Sequence, residues 1–516
     1  MPPELIAQVA DEFVTDLEAT TSDPHTRQAG VVSLTHVCGR WRDQLVNNAK
    51  YWTSIFIETA DSLRDLIDRS RRSPLSITGS LEKDHTGDLQ ENNEDKLSLV
   101  MGVGSRLRSL SISVSSQVLG NVVGQAHGTM PILKHLEIKV TGAVGATNLT
   151  PFTSPVLRRL QLSGLDSLND FRMLFTPALT ELSIIDVRTA MTTLDIRQVL
   201  RGLPNLMVLK LSLALGHTPI NPGTVIQLDK VPLPSLRTLY IDIPRLRHAK
   251  LLRDMVMPQL EHAYVQVHNF AYLEEIIVCM QGCIDGIGST QVLRGCTMYS
   301  PSPTSICCML TPDLTTTTWQ SQTAGLCLVF EGYDYDEEAW ILDVLRPRLQ
   351  PYLSTVERLT IEDGRAYVEQ SVVAWRQLFS LMPGVTELGV SGRYTSALPA
   401  GLYALDRSVW FRDPWRRIFG VVDFLNRFLK PYQVLDHPKS LISLTITGGI
   451  NISARDIDVL RDIFKVVKWD SLEKKDVSHE DGVQWYVFRE DNAREKTETE
   501  AHESDYDADD EEDAGE

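Results

Sequence analysis

Cysteine is scarce in this chain of 516 residues, and the number of cysteines is odd. Neither fact fits a disulfide framework, so we expect reduced thiols. The spacings Cys279-x3-Cys283 and Cys307-Cys308 lack the paired CxxC of a typical zinc site, and they favour buried apolar thiols. The seven cysteines are Cys38, Cys279, Cys283, Cys296, Cys307, Cys308 and Cys327.

Long apolar runs are missing as well. No stretch approaches the ~20 apolar residues that a membrane-spanning helix needs. The start, Met1-Pro2-Pro3-Glu4, has neither the basic nor the apolar region of a signal peptide. We therefore expect no membrane contact and a cytoplasmic or nuclear location.

Positive charge is in deficit, because 68 Asp and Glu oppose 50 Lys and Arg and give a net charge of -18. Residues 497–516 hold 11 Asp or Glu and no Lys or Arg, so -7 remains for the rest of the chain. A body without basic excess argues against nucleic-acid binding. Residues 491–516 are predicted to be a disordered acidic tail, which either improves solubility or mimics nucleic acid towards basic proteins.

The common catalytic motifs are also absent. The sequence has no GxxxxGKS/T phosphate loop, no HExxH and no GxSxG, and its 12 histidines are scattered. No nucleophile, base and orienting acid occur at a recognisable spacing. We expect no enzymatic activity, no cofactor and no bound metal.

The sequence does contain a repeat: an apolar residue, two free positions, an apolar residue, one free position and a third apolar residue. The first seven copies are 26, 24, 22, 27, 30 and 24 residues apart, as in leucine-rich repeats. A proline lies two residues before six of these copies, where a strand can begin. The seven copies are Leu107-Leu110-Ile112, Leu133-Leu136-Ile138, Leu157-Leu160-Leu162, Leu179-Leu182-Ile184, Leu206-Leu209-Leu211, Leu236-Leu239-Ile241 and Leu260-Ala263-Val265. Three later copies are Val356-Leu359-Ile361, Val385-Leu388-Val390 and Leu441-Leu444-Ile446.

Alternation along a strand predicts which side chains of each copy are buried. Leu110 and Ile112 would face the core, and Ser111 between them would face outward. One copy cannot bury its own apolar face, so the copies are expected to stack into a parallel sheet that lines a concave surface. The outward positions predicted to contact a protein client are Ser111, Glu137, Gln161, Ser183, Lys210 and Tyr240.

This pattern resembles the irregular leucine-rich repeats of eukaryotic intracellular proteins. The resemblance implies an α/β fold, a solenoid with the parallel sheet on the concave face and helices outside. The predicted boundaries are 61–104 for a linker helix and first strand and 105–452 for the solenoid. The repeats are weak over 266–352. The 96 residues from Leu260 to Val356 have room for about four copies, one through Thr323-Leu326-Leu328 and another near Val292-Leu293.

Two predictions concern the chain beyond the main repeats. An apolar run at 408–430, with Asp413 as N-cap and Pro414 as first residue, predicts an inserted helix. A C-terminal cap is expected at 453–490, with a helix from Ser453 through Val467 and a closing strand at Trp485-Tyr486-Val487-Phe488.

Residues 1–60 lack the repeat, and their apolar spacing predicts a small helical unit. Apolar residues from Met1 to Phe13 follow helical spacing. A polar loop from Thr20 to Gly30 is expected next. It leads to a second apolar stretch at 31–43 and a third element that ends at 51–55.

The opening Met1-Pro2-Pro3-Glu4-Leu5-Ile6 is similar to the start of an F-box. The run Leu34-Thr35-His36-Val37-Cys38-Gly39-Arg40-Trp41-Arg42, followed by Trp52, closely resembles the second half of the F-box. In particular, it is similar to the F-box-like proteins of basidiomycete fungi. The resemblance implies helix-in-groove docking on a Skp-type adaptor of a cullin-RING ubiquitin ligase core. The residues carried over as adaptor contacts are Pro2, Leu5, Ile6, Val37, Cys38 and Trp41.

The alternative is that these residues only cap the first repeat, and Trp41 and Trp52 are expected in the core under either interpretation. With the F-box resemblance, we expect a non-catalytic substrate receptor of an SCF-type ubiquitin ligase whose repeats bind a client. The other candidate is an adaptor-independent scaffold or acidic chaperone that binds basic proteins. The sequence does not identify the client.

Overall fold

The computed structural model describes most of the chain up to residue 362 and short segments beyond it. The chain divides into two compact units, residues 1–368 with 376–385, and residues 369–375 with 386–516. The described residues are 2–21, 23–82, 90–123, 129–142, 153–165, 169–187, 193–213, 230–244, 246–268, 272–302, 305–312, 325–331, 348–362, 381–385, 387–391, 408–412, 443–447, 466–469, 472–475 and 486–489.

All helices whose first and last residues are described belong to the first unit. They are α1 (Pro3–Thr20), α2 (Pro24–Thr35), α3 (Gly39–Val46), α4 (Ala60–Arg69), α5 (Gln90–Gly102), α6 (Ser116–Val123), α7 (Thr193–Arg201), α8 (Leu246–Arg253) and α9 (Leu273–Thr290). Short 3-10 helices lie at Ala49–Trp52, Gly104–Arg106 and Asn169–Leu174.

The strands of the first unit are β1 (Ser54–Ile57), β2 (Leu75–Leu81), β3 (Leu107–Ser115), β4 (His135–Thr141), β5 (Arg159–Ser163), β6 (Glu181–Val187), β7 (Val208–Leu213), β8 (Val231–Pro232), β9 (Thr238–Ile243), β10 (Met255–Val256), β11 (His262–Val267), β12 (Gly295–Ser302), β13 (Ser305–Thr311), β14 (Leu326–Glu331) and β15 (Arg358–Glu362). Those of the second unit are β16 (Glu387–Ser391), β17 (Ser408–Arg412), β18 (Ser443–Thr447), β19 (Val466–Trp469), β20 (Leu472–Lys475) and β21 (Tyr486–Arg489).

A large, open and mainly parallel sheet forms the first unit. From β1 to β7, and then through β9 and β11, each strand pairs in parallel with the next. The second apolar position of each repeat aligns across the sheet, so that Leu110 pairs with Leu136 and Leu136 with Leu160. All apolar positions of the first seven repeats are at most 3% exposed. The α/β class with a parallel sheet is therefore confirmed.

The strands described between residues 266 and 352 are not consecutive parallel neighbours, so the prediction of regular repeats there was wrong. The neighbour of β11 in the sheet is β14, which is followed by β13, β12 and β15. Strand β13 runs antiparallel to both of its neighbours. Only residues 303–304 separate β12 from β13, and a connection that short joins antiparallel strands but not parallel ones. The predicted Leu326 and Leu328 nevertheless keep the repeat register, opposite Ala263 and Val265.

The N-terminal helices differ from prediction at the loop between α1 and α2. No long polar loop separates them, because α2 begins at Pro24 with Asp23 as its N-cap. The Asp23 carboxylate accepts hydrogen bonds from the backbone N–H groups of His25 and Thr26. An Asp-Pro pair is the expected start of a helix, so this signal was present in the sequence.

The helical unit ends before residue 60, where its boundary was predicted, because β1 already belongs to the sheet. Ile55 and Ile57 of β1 are buried, and β1 pairs in parallel with β2. The helical unit therefore ends with the 3-10 turn Ala49–Trp52, and the predicted helix and strand after it are confirmed as α4 and β2.

The second unit contains a parallel sheet in the order β16, β17, β18, β19 and a separate hairpin of β20 and β21. Residues 408–412 are therefore a strand rather than the start of a helix, and Val409 and Phe411 pair with Leu388 and Val390. Their period-two spacing is a strand signal.

At the C-terminal end, Val467 lies in β19 rather than in the predicted final helix, and the predicted strand at 486–488 is confirmed as β21. The predictions for Asp413 and Pro414, for the capping Ser453 and for the tail 491–516 lie outside the described residues.

A buried ion pair ties α7 to the residue after α8. The Arg197 side chain is only 6% exposed, and its Nη1 lies 3.2 Å from Asp254 Oδ2. Replacing Asp254 with alanine leaves a buried guanidinium without this partner, so we expect the free energy of unfolding to fall by about 3 kcal/mol. Urea denaturation measures the loss. Glu261→Ala, which removes the partner of the exposed Arg237, should change stability by no more than ~0.5 kcal/mol. Equal effects of the two substitutions would contradict this account.

Candidate binding surfaces

The six predicted client contacts lie in one row across the exposed face of the sheet. Ser111 pairs with Glu137, and the pairing continues strand by strand to Tyr240. The row extends to Tyr264 on β11. We call these seven positions the central row: Ser111, Glu137, Gln161, Ser183, Lys210, Tyr240 and Tyr264.

Exposure varies along the central row. Lys210 is exposed, and most of the other side chains are half-buried. Ser183 is only 9% exposed, so its assignment as a freely accessible contact is corrected. Its short side chain lies between the longer Gln161 and Lys210 of the neighbouring strands. Among the described residues its hydroxyl has no hydrogen-bond partner.

Hydrogen bonds fix the first part of the central row. The Ser111 hydroxyl donates to Glu137 Oε2 at 2.8 Å, and Gln161 Nε2 donates to Glu137 Oε1 at 2.9 Å. Both oxygens of one carboxylate are therefore held by the adjacent strands. This part of the sheet presents a pre-oriented polar surface, which reduces the entropy cost of binding a partner.

Aromatic side chains dominate the other end of the central row. The Tyr240 and Tyr264 rings lie 5.9 Å apart, and Lys210 Nζ lies 4.8 Å from the centre of the Tyr240 ring. Burial raises the pKa of Tyr264 to about 12, so its phenol stays neutral and can donate or accept a hydrogen bond. Tyrosines held in this way are frequent anchors of protein interfaces.

A histidine lies between two carboxylates at the end of β11. His268 follows β11, with Nε2 2.5 Å from Asp242 Oδ1 and Nδ1 2.9 Å from Glu331 Oε2. The Ser212 hydroxyl donates to the other oxygen of Asp242 at 3.1 Å. These contacts join the ends of β7, β9, β11 and β14, among them the two strands that carry the aromatic pair.

The accessible part of the row ends at Tyr264. The next positions across the sheet, Cys327 and Met309, are buried together with Cys307 and Val329, and Tyr264 packs against this cluster. The Cys307 and Cys327 sulfurs lie 3.5 Å apart as free thiols. Of the seven cysteines all but the exposed Cys38 are buried, which confirms the prediction of buried thiols for the central segment.

A second candidate surface lies on the N-terminal helices. Pro2, Leu5, Val37 and Cys38 are exposed, with Leu5 at 48% and Val37 at 60%. Ile6 is only 1% exposed, so its assignment as an adaptor contact was wrong. It is instead one of the largest fully buried side chains.

Trp41 is half-buried and does not lie fully in the core as expected, whereas Trp52 is 1% exposed. Trp52 Nε1 donates to the Leu45 carbonyl at 2.9 Å. The two tryptophans therefore differ, since Trp52 is a core residue and Trp41 keeps part of its ring accessible.

The exposed apolar side chains lie towards one end of the helical unit. Gly30 of α2 lies against Phe13 and Leu17 of α1, where a Cβ would collide with Leu17. With only residues 21–23 between them, α1 and α2 fold back as a helical hairpin. The start of α1 is then at the same end as the turn after α2. We call Leu5, Val9 and Val37 the helix-end surface.

Polar contacts hold α1 in place against the rest of the unit. The Tyr51 hydroxyl lies 2.9 Å from Asp11 Oδ1 and 3.1 Å from the Ala7 carbonyl oxygen. Lys50 Nζ lies 2.6 Å from Asp11, and its hydrogen bond lowers the pKa of that carboxyl. The face of α1 that carries Ala7 and Asp11 is therefore the attached one.

Two surface residues were missed in the sequence, although signals for both were present. Val9 is 44% exposed and follows Leu5 by one helical turn. Tyr264 occupies the outward position of the seventh repeat, between Ala263 and Val265. Applying the same alternation to one more repeat finds it.

Within the described residues, no helix combines the length and apolar character needed to cross a lipid bilayer. No protein-family model matches the chain, and no curated protein matches it either.

Proposed function

We propose that this chain is a non-catalytic substrate receptor of a cullin-RING ubiquitin ligase. In this proposal the F-box-like N-terminal helices dock a Skp-type adaptor. The sheet belongs to a leucine-rich-repeat solenoid, and its exposed face binds a protein client.

The observation that carries the proposal is the helix-end surface. The buried core residues of the helical unit include Ile6, Ala10, Val31, Leu45 and Trp52. The apolar side chains of the helix-end surface are not part of that core. An exposed apolar group on a helical hairpin is the kind of surface that fits an apolar groove or helix of a partner.

The central row supports the second half of the proposal. Its side chains come from consecutive parallel strands, and they combine a pre-oriented carboxylate at Glu137 with the aromatic pair Tyr240 and Tyr264. A rigid scaffold that combines aromatic anchors with polar neighbours has the composition of a protein-binding surface.

Isothermal titration of the purified full chain with a purified Skp-type adaptor tests this function. We expect a stoichiometric complex that also survives size-exclusion chromatography. If neither method detects a complex, the receptor proposal is wrong, and an adaptor-independent scaffold becomes the better explanation.

A further inference from the structure

In three consecutive repeats, the residue directly after the first apolar position has a basic side chain. These residues are Arg108, Lys134 and Arg158, at the entries to β3, β4 and β5. The Lys134 N–H donates to the Arg108 carbonyl at 2.8 Å, and the Arg158 N–H donates to the Lys134 carbonyl at 2.8 Å. The three residues therefore lie side by side on neighbouring strand entries, about 5 Å apart.

Two more basic residues extend this group onto the exposed face. His135 and Arg159 pair across β4 and β5 and precede the central-row residues Glu137 and Gln161 by two positions. The pKa of His135 is lowered, first by burial and then by the charges of Arg159, Arg108 and Lys134. We call Arg108, Lys134, His135, Arg158 and Arg159 the basic edge.

Only part of this charge is neutralised within the chain. Arg159 forms an ion pair with Glu181 at 2.6 Å. Among the residues that the structure describes, the side chains of Arg108, Lys134 and Arg158 form no ion pair or hydrogen bond. Like charges on adjacent strands destabilise a sheet, so this arrangement does not contribute to the stability of the fold.

The basic edge is confined to one stretch of the sheet. The equivalent positions on the next strands are Thr180 and Met207, and Arg237 beyond them pairs with Glu261. Beside the cations, Ile132 and Val156 are 37% and 39% exposed. Two successive repeats thus present an exposed aliphatic residue and an exposed or half-buried cation in the same arrangement.

We propose that the basic edge binds an acidic segment of a protein partner. Carboxylate side chains of that segment would contact Lys134 and Arg158, and an aliphatic side chain would contact Ile132 and Val156. Charge complementarity supports this choice, because the basic edge stands out in a chain with a net charge of -18. The inference extends the proposed function by giving the chemistry of the client, and it does not depend on adaptor docking.

Fluorescence anisotropy with a labelled oligoglutamate peptide tests this proposal on the full chain. We expect the wild-type protein to bind oligoglutamate more tightly than oligoglutamine of the same length, with affinity that falls as salt is added. The double variant Lys134→Gln/Arg158→Gln should weaken binding about tenfold or more, because it removes two charge-assisted contacts.

The matched control is Lys230→Gln/Arg237→Gln, which removes the same charge from exposed residues outside the basic edge. It should leave binding nearly unchanged, and Arg158→Lys should retain most of the affinity. Equal losses in the two double variants would overturn the proposal, as would equal binding of oligoglutamate and oligoglutamine. Equally tight binding of single-stranded DNA would also overturn it, in favour of a nucleic-acid partner.

A second measurement separates this proposal from adaptor docking. Oligoglutamate bound at the basic edge should raise the pKa of His135, which NMR titration measures directly. The variant Leu5→Asp should leave oligoglutamate binding unchanged. If that variant loses both adaptor and peptide, the two surfaces are not separate, and the inference fails in its present form.

Discussion

Aspartate at positions 5 and 37 is expected to remove the Skp-type adaptor from complexes purified with the chain. Leu5 and Val37 are 48% and 60% exposed, so the double variant Leu5→Asp/Val37→Asp leaves the core intact. This double variant would place two carboxylates in the apolar contact with the adaptor. A loss of about 2 kcal/mol or more is typical of interface anchors and corresponds to at least about thirtyfold weaker binding. Titration calorimetry with the purified adaptor measures this change.

The matched control for this prediction is Leu194→Asp on α7. Leu194 is 46% exposed and lies outside the N-terminal helices, so it introduces the same chemistry at a similar exposure. Adaptor binding should be unaffected, and the thermal unfolding of both variants should match that of the wild type. Full adaptor affinity in the Leu5→Asp/Val37→Asp variant would show that the helix-end surface is not the docking site.

The largest effect on stability is expected from Trp52→Ala. Trp52 is 1% exposed, its Nε1 donates to Leu45, and the guanidinium carbon of Arg69 lies 4.9 Å from its ring centre. Removing the ring leaves a cavity between the N-terminal helices and α4, and such substitutions cost about 3–5 kcal/mol. Because a whole domain is stable by only about 5–15 kcal/mol, the N-terminal helices should then be largely unfolded at moderate urea concentrations.

Urea denaturation followed by tryptophan fluorescence and circular dichroism measures the effect of Trp52→Ala. Trp41→Ala offers a control of the same residue type, and because Trp41 is only half-buried its effect on stability should be clearly smaller. A Trp52→Ala variant as stable as the Trp41→Ala variant would contradict the assignment of Trp52 to the core.

The repeat positions could be predicted because each one is determined locally. Leu110 and Ile112 lie in a strand whose neighbours have the same spacing, so alternation alone places Ser111 on the other face. The same alternation, applied to the amino-acid sequence alone, places the six predicted client contacts in one row. Ser183 is buried because of the lengths of its neighbours Gln161 and Lys210, which alternation does not take into account.

Other features depend on contacts between distant parts of the chain. The reversed order of β12 and β14 follows from a hairpin and from the pairing of β11 with β14, which are separated by the whole of α9. Ile6 and Leu5 are adjacent in the sequence, yet one is buried and the other exposed because α2 and α3 cover only one face of α1. The F-box resemblance carried over both residues as adaptor contacts, because a sequence motif does not distinguish these two faces.

Hydrogen exchange of the full chain, with and without a purified Skp-type adaptor, is the most direct test of the proposed division between a docking unit and a client platform. We expect the adaptor to protect backbone amides in α1 and in the turn at residues 36–38, while β3 to β11 exchange as before. Protection along the central row, or no protection anywhere, would contradict the account.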